Sequence, residues 1–329
     1  MSGDFSMPAE WQAHRRTWMA WPCRRESWDA DHGLERAKSA FAAAARAIGR
    51  FEPVMLAARP ADVGEVRAMT GCDIFEVKLD DSWARDIAPA FVKLERGGEL
   101  AAVRWRFNGW GGKYASFRED ALFARRLAEK LNIPLSHAHI VCEGGAVHGD
   151  GQGTLLTTEQ CLLNSNRNPG LSKDGAERVF REMLGTSRVI WLGEGFSDAE
   201  TDGHVDNIAC FAGPGHAILG LPDSKTHPDF GPAMEAKRRL TAAGMNVTLL
   251  AQPRKLRHDR RGRLLPASYV NFYLCNGGLV MPCFDDPNDQ EARAVLAGCF
   301  PGRQIEMLPA WDIVAGGGGI HCITHQEPA

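Results

Sequence analysis

Apolar residues recur at spacings of three and four over 34–49, 119–131, 173–184, 232–243 and 287–299, a period that predicts five amphipathic helices. Two of them carry proline at the start, Pro232 and Pro287, where a first helical turn tolerates the missing N–H. A short apolar run follows each helix, at 54–58, 133–142, 188–192, 246–250 and 304–308, and reads as a strand. A polar loop comes next, and then two strands joined by a tight turn. Arg96-Gly97-Gly98-Glu99 divides 87–94 from 100–106, and Gly149-Asp150-Gly151 divides 145–148 from 153–157. Gly213-Pro214-Gly215 and Asn276-Gly277-Gly278 play the same part later in the chain.

Helix, strand, loop and hairpin thus recur about five times. The first interval is longer because an extra helix and strand occupy 61–79, and the fifth unit ends in a single strand at 319–324. The N-terminal stretch 16–21 is an apolar strand with no unit of its own. Pairing it with 319–324 would close an α/β ring of five units and remove exposed sheet edges, so 1–329 reads as one domain. The competing architecture, a doubly wound parallel sheet, needs long strand–helix alternation without hairpins.

Composition narrows the partners. With 44% hydrophobic and 24% charged residues among 329, the chain is globular rather than disordered. A net charge of −3 gives no bulk attraction to nucleic acid or anionic membrane. No stretch approaches the ~18 apolar residues of a membrane span, and His14, Arg15 and Arg16 interrupt the first 21 residues where a signal peptide would be apolar. Nine cysteines, an odd number, point to reduced thiols in the cytoplasm rather than a disulfide scaffold.

In a ring of repeats, equivalent positions converge on the axis, and the loop before each hairpin is such a position. Those loops hold Trp83-Ala84-Arg85-Asp86, Glu143-Gly144-Gly145, Gly203-His204-Val205-Asp206-Asn207, Ser268-Tyr269-Val270-Asn271 and Gly316-Gly317-Gly318-Gly319-Ile320-His321-Cys322. Cysteine is the natural nucleophile and histidine its acid/base partner. Clustered acids raise one another's pKa unless a cation sits among them, and a planar guanidinium with five N–H donors is the cation that several carboxylates can grip. His204 and Asp206, two apart on a segment read as extended, would face the same way.

Each group also has a plainer reading. Cys322 follows four glycines, which suits backbone lying close to a ligand but equally a structural bend. Cys142, beside Glu143, is the alternative nucleophile, although strand alternation points it away from the Glu143 face. Cys72, Cys161, Cys210, Cys275, Cys283 and Cys299 read as small buried hydrophobes. His204 alone could be a structural histidine, and Asp86 a local partner of Arg85. Glu143, between an apolar strand and two glycines, needs a partner if buried. Trp83 and Trp110 either wall a cation site or fill the core. His321, Cys322 and His325 are close in sequence, but on a strand the first two face opposite ways and no zinc-ligand spacing accompanies them, so no metal is expected. Gly109–Lys113 lacks the Ser/Thr of a phosphate loop.

Several motifs together carry a resemblance. Met7-Pro8-Ala9-Glu10-Trp11, Thr17-Trp18-Met19-Ala20-Trp21-Pro22, Trp83-x-Arg85-Asp86, Glu143-Gly144-Gly145, Leu162-Leu163-Asn164-x-Asn166-Arg167-Asn168-Pro169, Gly203-His204-Val205-Asp206-Asn207, Ala267-Ser268-Tyr269-Val270-Asn271-Phe272-Tyr273 and Ile320-His321-Cys322-Ile323-Thr324 resemble the agmatine deiminase family, related to bacterial peptidylarginine deiminases, over about 7–328. The resemblance implies the five-bladed α/β propeller of the guanidino-group-modifying (pentein-like) superfamily, a single catalytic domain over 1–329. It also implies hydrolysis of agmatine to N-carbamoylputrescine and ammonia without metal or cofactor. By matched motif, Cys322 attacks the guanidinium carbon and His204 protonates the departing ammonia and then activates water. Asp86 and Asp206 clamp the guanidinium, and Glu143 is a further site acid.

This chain departs from the family pattern at Gly319 (Asn expected), Asp202 (Asn) and His325 (Gln), around the substrate's tail. Glu200 and Asp202 are candidates for holding the distal ammonium of agmatine, or are solvated surface acids. Deimination of arginine or peptidyl-arginine, and non-catalytic binding of a guanidine or polyamine, are the alternatives. The expected partner is a small cationic guanidino substrate, with no nucleic acid and no membrane; a homo-oligomer is left open.

Overall fold

Helix Lys173–Leu184 shows why the periodic segments fold as they do. Ser172 Oγ accepts the Gly175 N–H at 3.1 Å, Gly185 closes the far end, and Ala176, Val179, Phe180 and Leu184 share one buried stripe. The following strand, Arg188–Leu192, buries Ile190, Trp191 and Leu192. Truncating the fully buried Phe180 to alanine would cost about 3–5 kcal/mol.

The computed structural model describes residues 5–28 and 33–329, which form a mixed α/β structure with five separate sheets. One pattern recurs in them: an antiparallel pair, then a helix, then a strand parallel to the second member of the pair. Ala90–Leu94, Leu100–Arg106 and Leu135–Val141 form the first such set, with Phe5–Ser6 added at its edge. Val147–Gly149, Thr154–Thr158 and Arg188–Leu192 form the second. Ala209–Gly213, His216–Leu221 and Asn246–Ala251 make the third, and Tyr273–Cys275, Gly278–Cys283 and Gln304–Pro309 the fourth. In the fifth, Thr324–Pro328 runs antiparallel to His14–Ala20, with Thr324 opposite Met19, and Val54–Ala58 and Asp73–Glu76 continue in parallel. The two ends of the chain therefore share a sheet.

In each set the main helix leads from the antiparallel pair to the parallel strand of the same sheet, and in the fifth Val63–Thr70 makes a further crossover to Asp73–Glu76. The helix–strand–hairpin order read along the chain cuts across the sheets, because a parallel connection requires a crossover and a hairpin does not. Helices Gly33–Ile48, Phe230–Ala242 and Asp289–Cys299 stand where the periodicity places them. Pro232 falls inside its helix's first turn, whereas Pro287 lies just ahead of its helix. The segment 119–131 is divided into Arg118–Ala121 and Phe123–Leu131, because Asp120 turns inward to accept the Asp80 and Asp81 N–H groups.

The larger departures from expectation lie in the loops before the hairpins. Ala84–Ile87 is a helical turn, so the strand expected from 87 starts at Ala90. Gly144–Ala146 and Val205–Asn207 are 3₁₀ turns rather than extended chain. The strand expected at 319–324 begins only at Thr324, and 320–323 is a turn. No helix among the described residues is long and apolar enough to cross a membrane.

Candidate active site

Those four turns deliver the chemically loaded side chains to one buried cluster. Asp86, on the turn Ala84–Ile87, accepts the indole N–H of Trp110 on Oδ2 at 2.8 Å and the Gly145 N–H on Oδ1 at 2.9 Å. Glu143, just ahead of its 3₁₀ turn, accepts Arg167 Nε on Oε1 at 2.8 Å. His204 caps the turn Val205–Asn207 and is wholly buried, with Nε2 3.7 Å from Glu143 Oε2 and Nδ1 3.9 Å from Asp86 Oδ1. Asp206 Oδ2 lies 3.5 Å from Cys322 Sγ, and Asn271 Nδ2 donates to the same sulfur at 3.3 Å.

Gly145 sits in the middle of this cluster. A methyl group there would lie 2.6 Å from His204 Nδ1, 2.9 Å from Asp206 Oδ2 and 3.1 Å from Asp86 Oδ1. A cavity opens from the cluster, bounded by Trp83, Asp86, Trp110, Tyr114, Glu200, Thr201, Gly316, Gly317, Gly318 and Cys322. A methyl on Gly318 would meet the Trp83 ring at 2.5 Å and Cys322 Cβ at 3.0 Å, so this part of the glycine run brings backbone up to the cavity wall.

A family model describing Porphyromonas-type peptidyl-arginine deiminases matches residues 6–328. The chain belongs to this deiminase family. The agmatine deiminase of Pseudomonas aeruginosa is 40% identical over 360 residues, spanning 99% of this chain and 96% of that protein. That of Ectopseudomonas mendocina is 41% identical over 355 residues with the same coverage. Among solved structures, the agmatine deiminase of Enterococcus faecalis superposes with a TM-score of 0.93 at 33% identity, covering 99% of this chain and 96% of that one. The resemblance read from the motifs is thereby established, and the chain is a deiminase-family hydrolase of C–N bonds with a mixed α/β fold shared with these structures.

Within this deiminase, charge is distributed unevenly. Burial, then the carboxylates of Asp206 and Asp86, push the Cys322 thiol well above its usual range against the opposing effect of Asn271. Burial disfavours the charged form of His204, but Asp86, then Cys161 and Glu143, outweigh it and hold its pKa well above the ordinary histidine value. Asp86 is raised by burial and by Asp206 and Glu143, even with His204 and Trp110 pulling the other way. Glu143 and Asp206 are lowered despite burial, the first by His204 and Arg167 and the second chiefly by His321.

Several expectations are corrected. His204 and Asp206 converge through a 3₁₀ turn and not by strand alternation. His321 and Cys322 do not face opposite ways: both contact Asp206 Oδ2, because their backbone is a turn. Trp110 reaches Asp86 through its N–H, and Trp83 both lines the cavity and stacks on Trp28 with centroids 5.8 Å apart. Glu200 lines the cavity, with Oε2 accepting from Tyr114 Oη at 2.8 Å and Oε1 2.6 Å from Arg263 Nη1. Asp202 is instead engaged by Arg167, by Asn166 Nδ2 at 3.0 Å and by Lys113 Nζ at 2.9 Å, and does not bound that cavity.

Other contributors were not singled out beforehand. Arg167 is the partner that a buried Glu143 demands, but nothing in its spacing identifies it. Asn271 occupies the loop before the fourth hairpin, the same position as its neighbours in the cluster, but its amide carries no charge by which the sequence would mark it. Cys161, read as a core filler, lies beside the site: its thiol, a Glu143 oxygen and a His204 nitrogen fall within 4.8 Å of one another. That trio has the composition of a metal site, yet Arg167 already supplies Glu143 with a cation.

Proposed function

We propose that this protein is an agmatine deiminase that converts agmatine and water to N-carbamoylputrescine and ammonia. The observation that carries the reading is the buried meeting of Cys322, His204, Asp86, Glu143 and Asp206 around Gly145. Asp86 and Asp206 grip the guanidinium nitrogens, with Glu143 beside His204 as the third acid. The entering cation offsets the two charges that raise the Cys322 thiol, so the thiol releases its proton to solvent as substrate binds and the thiolate forms. Its sulfur bonds to the guanidinium carbon, and His204, held protonated, passes its proton to the nitrogen that leaves as ammonia. Water then adds to the thiouronium carbon while His204 accepts a proton, and the C–S bond breaks to restore Cys322. The carboxylates stabilise the cationic tetrahedral species without rearrangement.

Glu200 favours agmatine over arginine. Its carboxylate, although paired with Arg263, lies on the cavity wall where the distal ammonium would approach, whereas no lysine or arginine is among the described residues bounding that cavity, where an arginine carboxylate would need one. Trp83 and Trp110 form part of that wall. The five sheets, closed by the pairing of Thr324–Pro328 with His14–Ala20, support a five-bladed propeller and one catalytic domain over 1–329. All nine cysteines are unpaired, which supports a cytoplasmic enzyme.

The test is ammonia release and product mass from agmatine, arginine and an arginyl peptide side by side. Turnover of agmatine alone is expected, with none in Cys322→Ala, a Cys322 adduct trapped in the native protein and no loss to chelators. Preference for arginine or the peptide would transfer the reaction to that substrate, and binding without turnover would make this a guanidine-binding protein.

A further inference from the structure

Glu10, from the N-terminal motif Met7-Pro8-Ala9-Glu10-Trp11, reaches the interior and touches neither the cavity nor Cys322. Its Oε1 lies 2.9 Å from His321 Nε2 and 3.1 Å from Arg85 Nη1. The other nitrogen of the same ring, His321 Nδ1, lies 2.9 Å from Asp206 Oδ2, the oxygen that stands 3.5 Å from Cys322 Sγ. A neutral imidazole has one N–H and one lone pair, so one of these two contacts would set a lone pair against a carboxylate. With both carboxyls ionised, as the lowered pKa values of Glu10 and Asp206 indicate, only a ring protonated on both nitrogens satisfies both.

We propose that His321 is a positioning residue, held as an imidazolium between Glu10 and Asp206, that fixes Asp206 beside Cys322 and offsets its charge so that the thiolate can form. The N-terminal motif is thereby a working part of the site although Glu10 meets no substrate. The charged and titratable groups facing His321 are Glu10 from the N-terminal segment, Arg85 from the turn Ala84–Ile87, His148 from Val147–Gly149, Asp206 from its 3₁₀ turn, and Cys322 and His325 from the C-terminal segment. Burial, then Arg85, oppose the charged ring, and the two carboxylates at hydrogen-bonding distance overcome them. His148 Nε2 is 3.5 Å from Glu10 Oε2 and adds a second contact to the same carboxylate.

The inference rests on Cys322 being the nucleophile but not on agmatine being the substrate. In ¹⁵N-histidine-labelled protein at pH 8, with the His321 signals identified by their loss in His321→Asn, both ring nitrogens are expected to carry protons. In Glu10→Gln, which is isosteric and leaves Asp206 in place, His321 is expected to lose a proton at that pH. Its charge then no longer offsets Asp206, and alkylation of Cys322 by iodoacetamide at pH 7.5 should slow by about tenfold, as a one-unit rise in thiol pKa dictates. A single protonated nitrogen in the native protein overturns the proposal whether or not the variant folds. So does a folded Glu10→Gln with a lower melting temperature but an unchanged alkylation profile, the mark of a purely structural contact. Absence of agmatine turnover with both signatures present would count against the substrate assignment alone.

Discussion

The indole N–H of Trp110 holds Asp86, donating to Oδ2 at 2.8 Å from a backbone at φ 55°. Left-handed backbone is unfavourable for a residue this large, and the turn Gly109–Gly112 keeps it because Asn108 Oδ1 accepts the Gly111 N–H and the ring is buried. The contact fixes which oxygen of Asp86 faces the site.

Trp110→Phe retains an aromatic ring but removes this donor. A hydrogen bond to a charged group is worth about 1.5–3 kcal/mol, so KM for agmatine should rise by roughly tenfold or more with a smaller change in kcat. Burial, then Asp206 and Glu143, already raise the Asp86 pKa, and losing a donor raises it further. Protonation removes its hold on the guanidinium, so the KM defect should widen as pH falls from 8 to 6. Steady-state kinetics across that range check this, and a defect independent of pH would separate Trp110 from Asp86.

Asp206→Asn should change reactivity and turnover in opposite directions. After burial, the Asp206 charge is the main influence raising the Cys322 thiol, so its removal lowers that pKa. The thiolate fraction at pH 7.5 then increases, and iodoacetamide should modify Cys322 several-fold faster than in the native enzyme. Deimination should nonetheless fall by at least about a hundredfold, because a carboxylate proposed to grip the guanidinium is gone. Alkylation and ammonia-release rates measured on the same preparations decide it; slower alkylation in the variant would contradict the assigned electrostatics.

Gly145→Ala tests the centre of the cluster. The added methyl would press on His204 Nδ1, Asp206 Oδ2 and Asp86 Oδ1 together. These atoms belong to two turns, Ala84–Ile87 and the His204-capped Val205–Asn207, so they can make room only by spreading the site. A loss of more than about a hundredfold in kcat/KM is expected, since misplacement by about 1 Å costs that much. The melting temperature should fall by no more than a few degrees, as for an overpacked methyl. Near-native kinetics in the variant would show that these groups need not converge.

The sequence patterns conveyed the architecture better than the site's wiring. Lys173–Leu184 and Arg188–Leu192 were legible because packing against a core demands a period that composition displays. The pairing of the terminal strands followed from counting units. The turns at 84–87, 144–146, 205–207 and 320–323 were not legible, because they are held by contacts from distant residues rather than by their own periodicity. Arg85, for example, donates its backbone N–H to the Cys322 carbonyl at 3.1 Å. The convergence of Cys322, His204, Asp86, Glu143 and Asp206 was recoverable from equivalent loop positions. Their partners Arg167, His321 and Glu10 come from outside that rule or act through a ring whose direction the strand reading reversed.

Away from the site, Asp120 should give the fold a measurable pH dependence. Its Oδ1 accepts the Asp80 and Asp81 N–H groups at 2.8 and 3.2 Å, while Oδ2 is buried without a partner. Burial, and then the neighbouring Asp81 carboxylate, raise its pKa to about 7. The unfolded chain releases this proton near pH 4, so the folded state binds more protons between the two values. Its contribution to stability is full below about pH 4, declines as pH rises, and is lost once pH passes about 7. Asp120→Asn keeps the Oδ1 acceptor but cannot titrate. The stability of the native protein relative to this variant should therefore fall by roughly 2–3 kcal/mol between pH 5 and 8. Urea unfolding of both proteins at the two pH values measures it: a constant difference would mean that Asp120 is ionised throughout, with Arg24, whose Nε lies 2.8 Å from Asp81 Oδ2, neutralising the pair.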